Sequence, residues 1–322
     1  MDDQRTWYHR LKDFIQLVRW WNLLIAAGGF LLSYFVWIQP VINYPSFSGE
    51  PLSMGTLTGI ALVIMYMLAF GYIHNDWRDR LADRINIHNR PLVHHKISRG
   101  KIILTLVTIG IIAWLQALWI GWVLNKMEFA MLFPIIPVLL YFYNRYLKHL
   151  PLIGNILIAI FCATVPWLAW LAVPNPAGRW ELAMLPEVSV IGLGLLSGFV
   201  FLSILSLEIT KDLKDRAGDL AAGSRTFPIV SGSSSAKNLV IILMSLTPVL
   251  LITGIWLSYF PPAPSLIISI VHSITVILFI FLARESWLAK RKKDYQKLDK
   301  WIKWGLLIGS IDLIVTFGPW NF

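Results

Sequence analysis

Charge is scarce in this sequence. Of 322 residues only 14% are Asp, Glu, Lys or Arg and 57% are hydrophobic, whereas an ordinary soluble domain carries about 25% charged residues. That balance excludes a water-soluble globular protein. Cysteine is nearly absent as well: Cys162 stands alone, so no intramolecular disulfide is available. The chain has no heptad repeat, no low-complexity tract and no soluble insert. Its apolar stretches are unbroken where an outer-membrane barrel needs alternation, and they are too apolar for disorder. Helices crossing a bilayer remain, each of about 20 apolar residues.

Apolar stretches at 20–38, 57–73, 102–124, 129–146, 152–173, 188–209, 239–259, 265–283 and 304–317 predict nine such helices and an all-α polytopic membrane protein. The formal net charge of +10 raises the possibility of nucleic acid, but its distribution argues for a membrane. Four basic residues (Arg5, Arg10, Lys12, Arg19) precede the first helix, seven lie in 75–101, two in 144–151, five in 211–238 and eight in 284–303, which is 26 of the 28. The loops between hold only Lys126 and Arg179. Basic loops stay in the cytoplasm, so the expectation is a cytoplasmic-membrane protein with its N-terminus and large loops inside and its C-terminus outside. The first stretch opens on Trp20, Trp21 and Asn22 and lacks a small-residue cleavage pattern, so it reads as a true span. The sixteen Trp and ten Tyr suit the headgroup layer, and the basic run at 290–293 suits anionic lipid better than nucleic acid.

Acidic residues number only 18, and six of them repeat one pattern. After the second span Asp76, Asp79 and Asp83 are spaced D-x2-D-x3-D; after the sixth, Asp212, Asp215 and Asp219 repeat that spacing. Offsets of three and seven share one face if the helix continues past the membrane. Three like charges on a face repel, and a divalent cation answers the problem. Mg2+ takes hard oxygen ligands and is commonly shared between one or two carboxylates and substrate phosphates, so two facing clusters would hold a diphosphate between two ions. The clusters begin 136 residues apart, which points to a single domain spanning 1–322, built of two four-helix pseudo-repeats plus a ninth helix around a central cavity open to the cytoplasmic face. Arg84, Arg90, Lys211 and Lys214 flank the carboxylates and suit phosphate oxygens, although each taken singly fits a cytoplasmic membrane anchor better.

The stretch Asn75-Asp76 to Asp83-Arg84 and on to Asn89-Arg90-Pro91, with Lys211-Asp212, Asp215, Asp219 and Gly223-Ser-Arg225-Thr226, resembles the UbiA intramembrane prenyltransferase superfamily. Arg19-Trp-Trp-Asn22, Tyr143 to Lys148 and Pro151 to Asn155 fit the same pattern. The residues after Arg90-Pro91 depart from it: Leu92-Val-His94-His95-Lys96 stands where a small residue is usual. Adjacent histidines without a third ligand make no zinc site.

The resemblance implies Mg2+-dependent transfer of an isoprenyl chain from an allylic diphosphate to a lipophilic acceptor. By that likeness Asp76, Asp79 and Asp83 serve one ion and Asp212, Asp215 and Asp219 the other, Asn22 and Asn75 orient metal or diphosphate, and Tyr143, Lys148 and Lys211 donate to it. The loops are most similar to the digeranylgeranylglyceryl phosphate synthase branch, which moves geranylgeranyl to a glycerol-phosphate lipid hydroxyl. Such an acceptor brings its own phosphate, for which Arg90, Lys96 and Arg225 are candidates. An aromatic quinone precursor of the hydroxybenzoate or dihydroxynaphthoate type is the alternative acceptor.

Two other classes remain to be weighed. A transporter places coupling charges near the membrane midplane, whereas these clusters stand at one face. A lipid-binding scaffold has no use for six clustered carboxylates. The exception to that one-face placement is Asp312, inside the ninth span, a functional candidate with His272 and Ser273 inside the eighth as partners; an interhelical hydrogen bond is the expected role.

Overall fold

The computed structural model describes residues 7–42, 50–86, 98–173, 187–258 and 265–317, and every regular element among them is helical. The long helices are α1 (Trp7–Val18), α2 (Trp20–Ser33), α3 (Met54–Ile85), α4 (Arg99–Val123), α5 (Met127–Arg145), α6 (Ile153–Thr164), α7 (Glu187–Ala221), α8 (Ser233–Ser258), α9 (Leu266–Leu288) and α10 (Lys292–Thr316). Helix α2 is prolonged by a π-helical turn over Tyr34–Ile38, and α6 through a 3-10 turn to Ala172. Side-chain oxygens of Ser53, Ser98 and Ser265 cap the starts of α3, α4 and α9, each accepting one of the N–H groups that a helix start leaves over.

Among the described residues, eight helices are long and apolar enough to cross a membrane, and they overlap the first eight predicted stretches. The ninth stretch, 304–317, falls in the C-terminal part of α10, whose N-terminal part is densely charged. Large apolar side chains are exposed along the spans, as at Leu104, Trp122, Leu266, Ile267 and Ile277. In water such a surface would aggregate; in lipid it is the solvated face.

The chain packs as two compact units. The first comprises Met1–Gly28, Leu52–His149 and Ala217–Ser224. Its core beneath the first acidic motif is made of Leu17, Val18, Leu23, Ala69, Ile73, Ile102 and Leu106. The second comprises Gly29–Pro51, Leu150–Arg216 and Arg225–Phe322. Lipid tails are as apolar as the helices, so close backbone approach and interhelical hydrogen bonds hold such units together. In the second unit the Trp37 indole donates to the Phe317 carbonyl (2.8 Å) while Ser189 donates to the Trp37 carbonyl (2.9 Å), and Gly309 lies so close to the Phe199 ring that a Cβ there would stand 2.2 Å from it.

Candidate active site

Both acidic motifs are helical throughout. The second apolar stretch ends near 73 and α3 continues to Ile85; the sixth ends near 209 and α7 continues to Ala221. Twelve more residues carry each helix about 18 Å further, so each set of three aspartates projects from one face of a rigid extension.

In the first unit, Asp76 is 1% exposed and Asp83 is buried. Arg19 Nη2 donates to Asp76 Oδ1 at 2.6 Å. The same guanidinium lies 4.5 Å from the centre of the Tyr72 ring, a favourable place for a cation, and the Tyr72 hydroxyl accepts from Asn22 Nδ2 at 3.1 Å. One turn further along α3, Lys148 Nζ binds Asp79 Oδ2 and donates to Asn75 Oδ1 at 2.8 Å, while Asn75 Nδ2 donates to the same Asp79 oxygen at 2.9 Å. Lys148 reaches this point from a 3-10 turn after α5. The end of α5 is itself fixed on α3, because Asn144 hydrogen-bonds His74 at 3.1 Å and the Tyr141 ring stacks on that imidazole. Asn75, Asp79 and Lys148, three predicted site residues, therefore form one triad. Tyr143 is buried near the end of α5.

The end of α7 belongs to this unit too. Asn86, the residue after α3, accepts the Gly218 N–H through Oδ1 at 3.1 Å. A Cβ on Gly218 would lie 2.3 Å from Asn86 Nδ2 and 2.6 Å from the Ala82 carbonyl oxygen. Only glycine permits that approach, which brings the backbone beside Asp219 to within a turn of Asp83.

In the second unit, Asn155 Nδ2 donates to Asp212 Oδ2 at 2.9 Å. Lys211 pairs with Glu208 at 2.5 Å. Lys214 lies between Asp215 (3.8 Å) and Asp299 of α10 (4.0 Å), and Asp299 also binds Lys303 at 2.7 Å. Burial opposes the Asp299 charge, yet Lys303 and Lys214 outweigh it and hold the carboxyl below its usual value. Burial first, then repulsion from Lys211, pushes the Lys303 ammonium down.

Arg90, Lys96, His94 and His95 lie outside the described residues; Arg84 and Arg225 are exposed. Among the described residues no three His, Cys, Asp or Glu side chains stand together as a ready ion cage. The donor set nevertheless suits Mg2+: carboxylate oxygens with an amide beside them are hard ligands, and an ion shared with phosphates needs only one or two from the protein. Sequence reasoning gave no pairing to Arg19, Asn86, Gly218, Asn155 or Asp299. Arg19, Asn86, Gly218 and Asn155 stood within quoted motifs. Asp299 carried no signal beyond its basic surroundings.

Of the two partners expected for Asp312, His272 is beside it, whereas Ser273 is exposed and donates to the Ser269 carbonyl at 2.7 Å. His272 Nδ1 lies 2.8 Å from Asp312 Oδ2, His272 Nε2 lies 2.7 Å from the Leu251 carbonyl, and both side chains are buried. Three helices, α8, α9 and α10, meet at this imidazole.

The sequence pattern of the UbiA prenyltransferase family matches residues 41–307. A digeranylgeranylglyceryl phosphate synthase of Thermococcus sibiricus is 32% identical over 257 residues, covering 78% of this chain and 81% of the relative. Among solved structures, one concerning digeranylgeranylglyceryl phosphate synthase in membranes superposes with a TM-score of 0.63 at 24% identity, covering 96% of this chain and 99% of the other. A UbiA homolog from Archaeoglobus fulgidus bound to DMAPP and Mg2+ superposes with a TM-score of 0.56 at 17% identity, covering 93% and 99%.

Proposed function

Because the chain belongs to the UbiA prenyltransferase family, we propose that it transfers a long prenyl group, geranylgeranyl, from its allylic diphosphate to the hydroxyl of a geranylgeranylglyceryl phosphate-type lipid. The observation that carries the acceptor is the 32% identity, over most of both chains, to a relative named for that reaction. The chemistry rests on two trios of aspartates at D-x2-D-x3-D spacing on helical extensions.

In this reading two Mg2+ ions are held, one by Asp76, Asp79 and Asp83 and one by Asp212, Asp215 and Asp219, and they supply electrostatic stabilisation of the departing diphosphate. Asn75 and Asn22 orient the first cluster, and Asn155 fixes one oxygen of Asp212. Lys148, Lys211, Tyr143 and Arg90 donate to diphosphate oxygens. Departure of diphosphate leaves an allylic carbocation, so the chain must keep water away from it. A single domain of two pseudo-repeats plus a ninth helix, with a central cavity open toward the cytoplasm and walled by apolar spans, meets that need and admits the tail from the bilayer. The distribution of Lys and Arg supports cytoplasmic active-site loops in a cytoplasmic membrane.

The test is incubation of purified protein with Mg2+ and radiolabelled geranylgeranyl diphosphate, offered geranylgeranylglyceryl phosphate or an aromatic quinone precursor, beside an EDTA control. Product with the glyceryl phosphate alone, abolished by EDTA and nearly abolished by Asp76→Ala or Asp212→Ala, is the expected outcome. Product with the aromatic alone moves the protein to quinone synthesis, and EDTA-resistant product overturns the metal mechanism.

A further inference from the structure

Two aspartates of the first motif already carry a cation each: Arg19 on Asp76 and Lys148 on Asp79. Arg19 is held in an unusual way. It is the single residue between α1 and α2, and its backbone takes a positive φ of 53°. Non-glycine residues rarely adopt that region, and where they do the surroundings enforce it, commonly at functional sites. Here the break turns the side chain onto α3, where the guanidinium meets Asp76 Oδ1 with the Tyr72 ring beneath it and Asn22 bracing the Tyr72 hydroxyl. Asp76 is almost wholly buried, while the Arg19 side chain is 21% exposed. Of the two partners, the carboxylate is the enclosed one and the guanidinium is the one that reaches the surface.

Arg19 engages Asp76 through Oδ1, and a divalent ion that binds the carboxylate through that oxygen displaces it. That leaves a guanidinium beside a dication, an arrangement that repels unless an anion enters with the metal. A diphosphate is that anion, and the planar fork of arginine matches phosphate oxygens. We propose that Arg19 exchanges Asp76 for the substrate diphosphate, so that divalent metal and diphosphate load together rather than in sequence. Lys148 makes the parallel exchange from Asp79. The proposal rests on the metal-diphosphate reading above and adds to it the coupling between the two ligands.

Equilibrium dialysis of the full-length protein against Mn2+, with inorganic diphosphate either absent or equal on both sides, measures that coupling without turnover. The wild type should retain Mn2+ at least about tenfold more tightly with diphosphate than without it, the scale of one charge-assisted hydrogen bond. Arg19→Gln removes the competitor, so Mn2+ alone should bind about tenfold more tightly than to the wild type, and the gain from diphosphate should shrink. Arg19→Lys should keep the wild-type pattern. Asp76→Asn provides an independent arm: it releases Arg19, so diphosphate in EDTA should be retained more tightly than by the wild type. If Arg19→Gln, folded by circular dichroism, binds Mn2+ alone no better than the wild type, or if Asp76→Asn gains nothing for diphosphate, the exchange is refuted while the metal site stands. If the wild type retains no Mn2+ even with diphosphate, the underlying functional reading falls as well.

Discussion

Gly218→Ala tests whether the join between α7 and the end of α3 sets the geometry of the aspartates. The added methyl would sit 2.3 Å from Asn86 Nδ2, 2.6 Å from Asn86 Cγ and 2.6 Å from the Ala82 carbonyl oxygen. The asparagine can swing aside; the carbonyl belongs to the last turn of α3 and cannot. Overpacking of this kind costs about 1–3 kcal/mol, and losing the 3.1 Å bond from the Gly218 N–H to Asn86 adds about 1 kcal/mol. The sum, about 2–4 kcal/mol, should appear as a fall of several degrees in the unfolding temperature in detergent. Because Asp219 follows Gly218 and Asp83 lies one turn before Asn86, a shift of about 1 Å should also lower turnover on the order of a hundredfold. Asn86→Ala in the same chain clears two of the three collisions but not the backbone one, so the double variant should recover part of the stability and little of the activity. Wild-type unfolding temperature and turnover in Gly218→Ala would refute the reasoning.

At the buried histidine, the Leu251 carbonyl can only accept, so His272 Nε2 carries a hydrogen, and Nδ1 faces Asp312 Oδ2 at 2.8 Å. Asp312→Asn can still donate to a neutral Nδ1, whereas Asp312→Ala leaves that nitrogen unpaired in the bundle. The alanine variant should lose about 1–3 kcal/mol and the asparagine variant less, about 0.5 kcal/mol, in thermal unfolding; equal losses would mean that the contact is not what joins these helices. On α10, the Asp299 carboxyl is held below its ordinary value by Lys303 and Lys214 against the opposing effect of burial. A depressed carboxyl contributes stability that is complete above its unfolded value, near 3.9, and is lost as pH falls through the lower folded value. Asp299→Asn should therefore unfold below the wild type at neutral pH by about 1–2 kcal/mol, reduced because Lys303 is half exposed, and the gap should close only in strong acid. A gap that stays constant down to that range would show that charge is not its cause.

Much of the fold could be read from periodicity and charge alone. Eight of the predicted stretches match membrane-length helices, and the D-x2-D-x3-D spacing placed the aspartates on common helical faces because α3 and α7 continue past the membrane. The pairing of Asp312 with His272 was also foreseen, since ionisable groups in neighbouring spans have few alternatives to each other. What spacing does not carry is contact across long separations. Arg19 with Asp76, Lys148 with Asp79, Asn155 with Asp212 and Gly218 with Asn86 lie 57, 69, 57 and 132 residues apart. A basic residue at a helix mouth looks the same in sequence whether it anchors in headgroups or bends back onto a carboxylate. The positive φ at Arg19, which decides between these, has no signature in residue type. Helix α10 begins twelve residues before its apolar stretch for a related reason: hydropathy marks where a helix enters lipid, not where it starts.

Helix α10 also constrains how the protein can be made. Its apolar part, residues 304–317, spans about 21 Å at 1.5 Å per residue, short of the roughly 30 Å hydrocarbon layer, and it contains Asp312, a residue that costs about 2.5–3.5 kcal/mol at the centre of a lone inserting helix. Such a segment is a poor substrate for the insertion machinery by itself. With His272 on α9 only 2.8 Å from Asp312, insertion of α10 against an already inserted α9 would cost less than insertion alone, because the carboxyl would meet a polar partner rather than lipid.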